Sequence, residues 1–93
     1  MIHVLVARIP AEGVAAFRRY EDLVLPLLAE HGGRLERRLA RDDGRVEVHI
    51  VWFPSFGAFA GYRDDPARVA HAELLARSGA ATDLLELRDL PLT

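Results

Sequence analysis

Apolar and polar residues alternate with period two in four stretches, and each predicts a β-strand. The richest is Val46 to Phe53, where Val46, Val48, Ile50 and Trp52 alternate with Glu47, His49, Val51 and Phe53. One face of this strand is wholly apolar and largely β-branched, and the other is mixed. Pro54 ends it, lacking an N–H for the ladder. Ile2 to Arg8 forms a strand closed by Pro10, with Ile2, Val4 and Val6 on one face and His3, Leu5 and Ala7 on the other. Arg34 to Arg41 is the most polar strand, which suits a sheet edge. It places Leu35 and Leu39 on one face, and Arg34, Glu36 and Arg38 on the other. Thr82 to Arg88 is the fourth, with Leu85 and Leu87 opposed to Leu84, Glu86 and Arg88.

Helical spacing fills the intervals. Val14, Phe17, Val24, Leu27 and Leu28 mark the buried stripe of a long helix from Glu12 or Gly13 to about His31. A kink is expected at Pro26, where a hydrogen bond is lost. His31-Gly32-Gly33 stops this helix, glycine being suited to the left-handed position after a helix end. Asp42-Asp43-Gly44 predicts a tight hairpin turn. Ser55 is the N-cap of a helix running to about Arg63. Asp65 caps a second one, which starts at Pro66 and continues to about Arg77.

The order β-α-β-β-α-β predicts an α+β, ferredoxin-like domain spanning 1–93: a four-stranded antiparallel sheet with both helices on one face. The wholly apolar face of strand three is expected beneath the helices, which would bury Trp52. The mixed face, with Leu5, Val51, Phe53, His3 and His49, would then be left open. An open apolar patch calls for a cover, and a second copy packed sheet to sheet about a two-fold axis supplies one. A homodimer through the open sheet face, forming an α/β barrel, is therefore expected.

Composition narrows the function classes. The 93 residues are 51% hydrophobic and 28% charged, values of a globular domain. No apolar run approaches the ~20 residues that span a bilayer, and the N-terminus has no signal-peptide pattern. The absence of cysteine removes disulfides, thiolate nucleophiles and thiolate zinc sites. A cytoplasmic protein without membrane contact is the expectation. A net charge of −2 supplies no field toward nucleic acid. All twelve basic residues are arginine, a bias typical of a GC-rich bacterial genome, so a single arginine carries little functional weight.

Tyr20, Pro26, Leu28, His31-Gly32-Gly33-Arg34, then Phe53-Pro54-Ser55-Phe56, Ala58 and Tyr62 form a pattern that resembles small bacterial proteins of the DUF1330 type. The similarity covers roughly 17–89. It implies membership of the dimeric α/β-barrel superfamily, which also holds antibiotic biosynthesis monooxygenases, EthD-like and NIPSNAP-like proteins, and chlorite dismutase relatives. The resemblance implies the fold and leaves the activity open.

The candidate chemistry lies on the mixed faces. His3, Glu47 and His49 could share an interior and act as a general acid/base set. A two-histidine, one-carboxylate metal site is the sharper alternative, and hydrogen-bonded structural groups are the plainer one. Arg37 is the expected partner of Glu47. Among the aromatic residues Tyr62 is the best pocket candidate, because a buried tyrosine keeps its hydroxyl near a partner. No phosphate loop, catalytic-triad signature or zinc spacing occurs, and no cofactor is expected. Two functional readings stand: a protein binding or transforming a small apolar metabolite between sheet and helices, or a non-catalytic dimeric accessory protein. An enclosed cavity near His3, Glu47 and His49 would separate them.

Overall fold

The computed structural model describes residues 1–92. Four strands, β1 (Ile2–Arg8), β2 (Arg34–Ala40), β3 (Val46–Trp52) and β4 (Ala81–Leu87), form one antiparallel sheet in the order β2-β3-β1-β4. The helices α1 (Val14–Val24), α2 (Phe56–Arg63), α3 (Pro66–Val69) and α4 (Ala72–Ser78) cover one face. The molecule measures 41 × 35 × 16 Å, the thickness of one sheet and one helical layer. This is the ferredoxin-like arrangement expected from the pattern. Among the described residues no helix is long and apolar enough to cross a membrane.

Local chemistry explains the element ends, with three departures from expectation. Pro26 does not kink a continuous α-helix: α1 stops at Val24, and Leu25–His31 continues as a 3₁₀ segment with Pro26 in its first turn. Gly32, at φ 72°, closes that segment. The hairpin between β2 and β3 is a wider loop, in which only Gly44 takes a positive φ and Gly44 N–H donates to the Arg41 carbonyl at 2.9 Å. The helix after Asp65 breaks at Ala70 into α3 and α4. Ser55 and Asp65 are N-caps as expected, accepting from the Ala58 and Ala67 amides.

The faces of the sheet are the reverse of those expected. Glu47, His49 and Val51 of β3 are buried under the helices, whereas Val46, Val48, Ile50 and Trp52 are half-exposed on the open side. Cross-strand pairing carries the inversion across the sheet: Val4 opposes Ile50, Val6 opposes Val48, and Leu85 and Leu87 of β4 join Val4 and Ile2. Trp52 is thus not a core residue; the Arg34 guanidinium lies 4.3 Å from its ring centre on the open side. Leu5, Val51 and Phe53, expected on the open face, turn inward instead. The reason is the rest of the core. The helices bring enough aromatic and aliphatic bulk (Phe17, Tyr20, Val24, Leu28, Tyr62) to fill their side against a partly polar strand face.

A β-bulge makes a second correction. The register of β2 against β3 shifts between Leu35 and Arg37, so Leu35 pairs with Val51 but Leu39 pairs with Val48. The two leucines therefore lie on opposite faces. The extra residue also rotates Arg38, not Arg37, to the helix side, opposite His49.

The core has two centres, one of Leu28, Val51, Phe53 and Tyr62 and one of Ala7, Ile9 and Phe17. The second depends on a close backbone approach. A Cβ on Gly13, just before α1, would stand 1.8 Å from the Ser78 carbonyl oxygen at the end of α4. Gly13→Ala must push α4 off α1, and overpacking of this kind costs about 1–3 kcal/mol or more. Urea unfolding should show a clearly lowered midpoint; an unchanged midpoint would mean that the two helix ends do not meet this closely.

Candidate functional site

The inward face of β3 places Glu47 and His49 two residues apart, so both side chains leave the strand on one side. His49 Nε2 lies 2.7 Å from Glu47 Oε1. Glu47 also accepts from Arg38, at 2.6 Å from Nε and 3.4 Å from an Nη. Burial pushes the Glu47 carboxyl up, but the hydrogen bonds from Arg38 and His49 outweigh it and hold it below the ordinary carboxylate range. Glu47 is ionised. Burial lowers His49 despite the opposing pull of Glu47, so its imidazole is neutral. An ionised carboxylate accepts only, which assigns the His49 proton to Nε2 and leaves Nδ1 as a bare lone pair.

That lone pair faces a second carboxyl. Glu21 of α1 is 4% exposed, and its Oε2 lies 3.9 Å from His49 Nδ1. Burial, helped by the Glu47 charge and opposed by Arg38 and Arg68, pushes the Glu21 carboxyl up to about 7. The distance is too long for a direct hydrogen bond. A neutral base and a carboxyl that titrates near neutrality thus face each other across a gap.

The gap opens on a cavity of about 180 Å³ between sheet and helices. Glu21 and His49 line it beside Val51, Phe53, Phe59 and Tyr62. His3 lines it two positions along the sheet from His49, paired with Val51 across β1 and β3. Its ring stacks on Phe59 at 4.2 Å and meets Phe53 edge-on at 5.5 Å. Burial holds His3 below its ordinary value, so it too is neutral. The Tyr62 hydroxyl donates to the Val24 carbonyl at 3.4 Å. Phe56 is exposed and takes no part in the cavity.

The structure thus brings Glu47 into contact with His49, sets His3 and Tyr62 in the walls of the same cavity, and keeps Glu47 behind His49. It does this on the helix-covered face, not on the open face where the imidazoles were expected. The expected Arg37 partner of Glu47 is replaced by Arg38. Among the described residues, the group with three potential metal-ligand atoms within 4.8 Å of one another is Glu30, His31 and Asp65, not His3, Glu47 and His49. His31 and Asp65 are already bonded at 2.7 Å, tying the 3₁₀ segment to the cap of α3. Glu21 was missed from sequence, although it falls four residues after Phe17 and seven before Leu28, on the helix's buried stripe. A carboxylate on an apolar stripe was the available signal. Arg68 had none, being one arginine among twelve on a helix without a marked polar exception.

No family model matches the sequence, and comparison with curated proteins finds no relative. Solved structures do match. The Rv0793 protein of Mycobacterium tuberculosis superposes with a TM-score of 0.68 over 96% of both chains at 23% identity. A candidate antibiotic biosynthesis monooxygenase from Deinococcus radiodurans gives 0.72 over 100% of this chain and 98% of its own at 13% identity. An uncharacterised NIPSNAP domain protein from Burkholderia xenovorans gives 0.64 over the whole of both chains at 18% identity. The chain shares their fold. At these identities the likeness extends no further than the fold.

The raised Glu21 carboxyl makes a pH prediction. A carboxyl at about 7 in the folded state and about 4.5 unfolded binds more protons when folded, so its neutral form favours folding at low pH. That advantage is lost as pH rises toward 7, and the full cost of burying the charge, about 3 kcal/mol, is present above it. Glu21→Gln has no such cost. Relative to wild type, its urea-unfolding free energy should gain about 3 kcal/mol between about pH 4 and about pH 8. A difference that stays flat with pH would place the Glu21 carboxyl at an ordinary value.

Proposed function

We propose that this protein binds a small molecule in the cavity between sheet and helices and moves a proton on it, with Glu21 and His49 as the acid/base pair. The observation that carries the reading is the Glu21 carboxyl, titrating near neutrality in a cavity wall opposite the bare Nδ1 of a histidine whose other nitrogen is fixed by ionised Glu47. A general base works best with a pKa near the operating pH, which is where Glu21 stands. His49 Nδ1 or the Glu21 carboxylate takes a proton from the bound molecule, and protonated Glu21 returns one. Glu47 and Arg38 position His49. His3 and Tyr62 form the binding wall. The cavity supports this over the accessory-protein reading, under which the interior would be filled by side chains.

The experiment has two stages. A ligand-observed NMR screen of single-ring compounds should yield binders that shift the His3 and His49 imidazole signals. Solvent deuterium should then enter an activated C–H position of a binder in the presence of wild type, with the rate reduced at least about 100-fold in Glu21→Gln, the lower end of general acid/base contributions. Binders that leave both imidazoles unmoved, or exchange unaffected by Glu21→Gln, would overturn the reading.

The open sheet face supports the second half of the proposal, a homodimer packed sheet to sheet. Ile2, Val4, Val6, Val48, Ile50 and Trp52 form a contiguous apolar surface there, extended by Leu39, Leu85 and Leu87, at 40–47% exposure. A monomer rarely leaves such a surface to water. This assembly goes with our family reading, DUF1330-like within the dimeric barrels. Light scattering should give twice the 10.4 kDa chain mass. Ile50→Asp, at the centre of the face, should halve it while the far-UV spectrum is kept. A wild-type monomer would refute the dimer.

A further inference from the structure

Two buried polar atoms of the cavity wall have no hydrogen-bond partner among the described residues. Among the described residues, the buried side-chain nitrogens without a hydrogen-bond partner are His3 Nδ1 and Arg68 Nε, and both residues line this one cavity. His3 is 4% exposed, so water does not reach it freely. An unpaired buried polar atom costs about 1–3 kcal/mol. Two of them in the same cavity, and none elsewhere among the described residues, mark groups whose partner arrives with a ligand.

Their chemistry specifies that ligand. Arg68 is a permanent cation. It leans on the Tyr62 ring at 4.9 Å, and one of its Nη groups reaches the Arg63 carbonyl at 3.4 Å. Among the described residues it has no carboxylate partner, whereas Arg63 beside it is paired with Asp64 at 3.0 Å and Arg38 with Glu47. With Glu21 protonated, Arg68 is the one charged lining residue without an ion-pair partner among the described residues. A single negative charge balances it, and a doubly charged phosphate would exceed it. The N–H fork of arginine suits the oxygens of a carboxylate.

The remaining wall sets the body of the molecule. Phe53, Phe59, Tyr62 and the His3 ring present aromatic faces and edges. A cavity of about 180 Å³ is slightly larger than the ~150 Å³ that holds a benzene. That is room for one ring and its substituents, with a hydroxyl or carbonyl oxygen for His3 Nδ1.

We infer that the ligand is a singly charged, single-ring aromatic acid, its carboxylate on Arg68 and an oxygen substituent on His3. This rests on the cavity being the functional site proposed above, and it refines the apolar metabolite expected from sequence: the ring is apolar and the anchor is an anion.

The test uses two probes of nearly equal shape, para-hydroxybenzoate and its neutral counterpart para-hydroxybenzyl alcohol, titrated calorimetrically in mildly acidic buffer that keeps Glu21 protonated. Wild type should bind the acid at least about tenfold more tightly, the effect of one charge-assisted hydrogen bond. Arg68→Gln should bring the two within about twofold. Equal binding, preference for the alcohol, no binding of either probe, or a preference that survives Arg68→Gln would each overturn the inference. Should Arg68→Gln not fold, the wild-type preference alone decides. The acid/base reading fails separately. If Glu21 titrates at its ordinary value while the acid is still preferred, the ligand class stands without the proton transfer. If Glu21 titrates near neutrality and the acid is not preferred, the ligand class is wrong.

Discussion

The buried carboxylate of Glu47 is the constraint on which the interior depends. A charge at 2% exposure is tolerated only with a partner, and the partner is Arg38. Arg38 comes from an edge strand, where its guanidinium keeps partial contact with water and its stem reaches inward. It faces inward only because the bulge after Leu35 advances the side-chain alternation of β2 by one. A regular strand would turn Arg38 outward and offer Arg37 in its place. From this pair the rest follows in order. Arg38 keeps Glu47 ionised, ionised Glu47 fixes the His49 tautomer, and the Glu47 charge helps to raise the Glu21 carboxyl toward neutrality. One arginine from an edge strand thus acts on the protonation states of both buried carboxyls.

The polar network also shapes the core. It lies between the two apolar centres, with Val51 in one and Ala7, the cross-strand partner of Glu47, in the other. Side chains in the gap must keep hydrogen-bond geometry and cannot collapse on each other as aliphatic ones would. The cavity forms along this seam, where Glu21 and His49 are close but not bonded. Stacking of His3 on Phe59 and the Tyr62 bond to the Val24 carbonyl fix the walls on the other side.

Much of the fold was legible in the chain. Strand periodicity, the Ser55 and Asp65 caps and the Gly32 stop are local signals that report local structure. The sheet faces were not legible, for a physical reason. Hydrophobicity orders the two faces of one strand by their own content, and by that measure the Val46, Val48, Ile50 and Trp52 face goes inside. Which face the helices cover is decided by handedness of the connections and by what the helices bring. Here both faces carry large apolar side chains, so content alone does not rank them. The bulge was equally hidden, since no glycine marks it and Glu36 is an ordinary strand residue. Of the site, His3, Glu47, His49 and Tyr62 could be picked out as polar exceptions in apolar runs. Glu21 carried the same signal on a helix and was passed over, because one carboxylate on a helical stripe is easily absorbed as surface. Arg68 was beyond reach, because one arginine among twelve in a short helix carries no signal of its own.

The inverted sheet carries its own functional argument. A fold that places glutamate and histidine under its helices and valine, isoleucine and tryptophan toward water has forgone stability twice. The first loss is the desolvation of Glu21, Glu47 and His49, which well-packed apolar residues would avoid. The second is the unburied face, where each fully covered aliphatic side chain would contribute roughly 1.5–3 kcal/mol. The second loss is recovered if another copy covers the face, without change to the protomer. The first is not recovered by any assembly, because it lies inside a single chain beneath its own helices. Arg38 and His49 compensate Glu47 within the chain, and under the proposed function a bound molecule would meet the unpaired His3 and Arg68 nitrogens. The two faces thus support the two halves of the proposed function separately, the open apolar face the homodimer and the polar cavity the ligand.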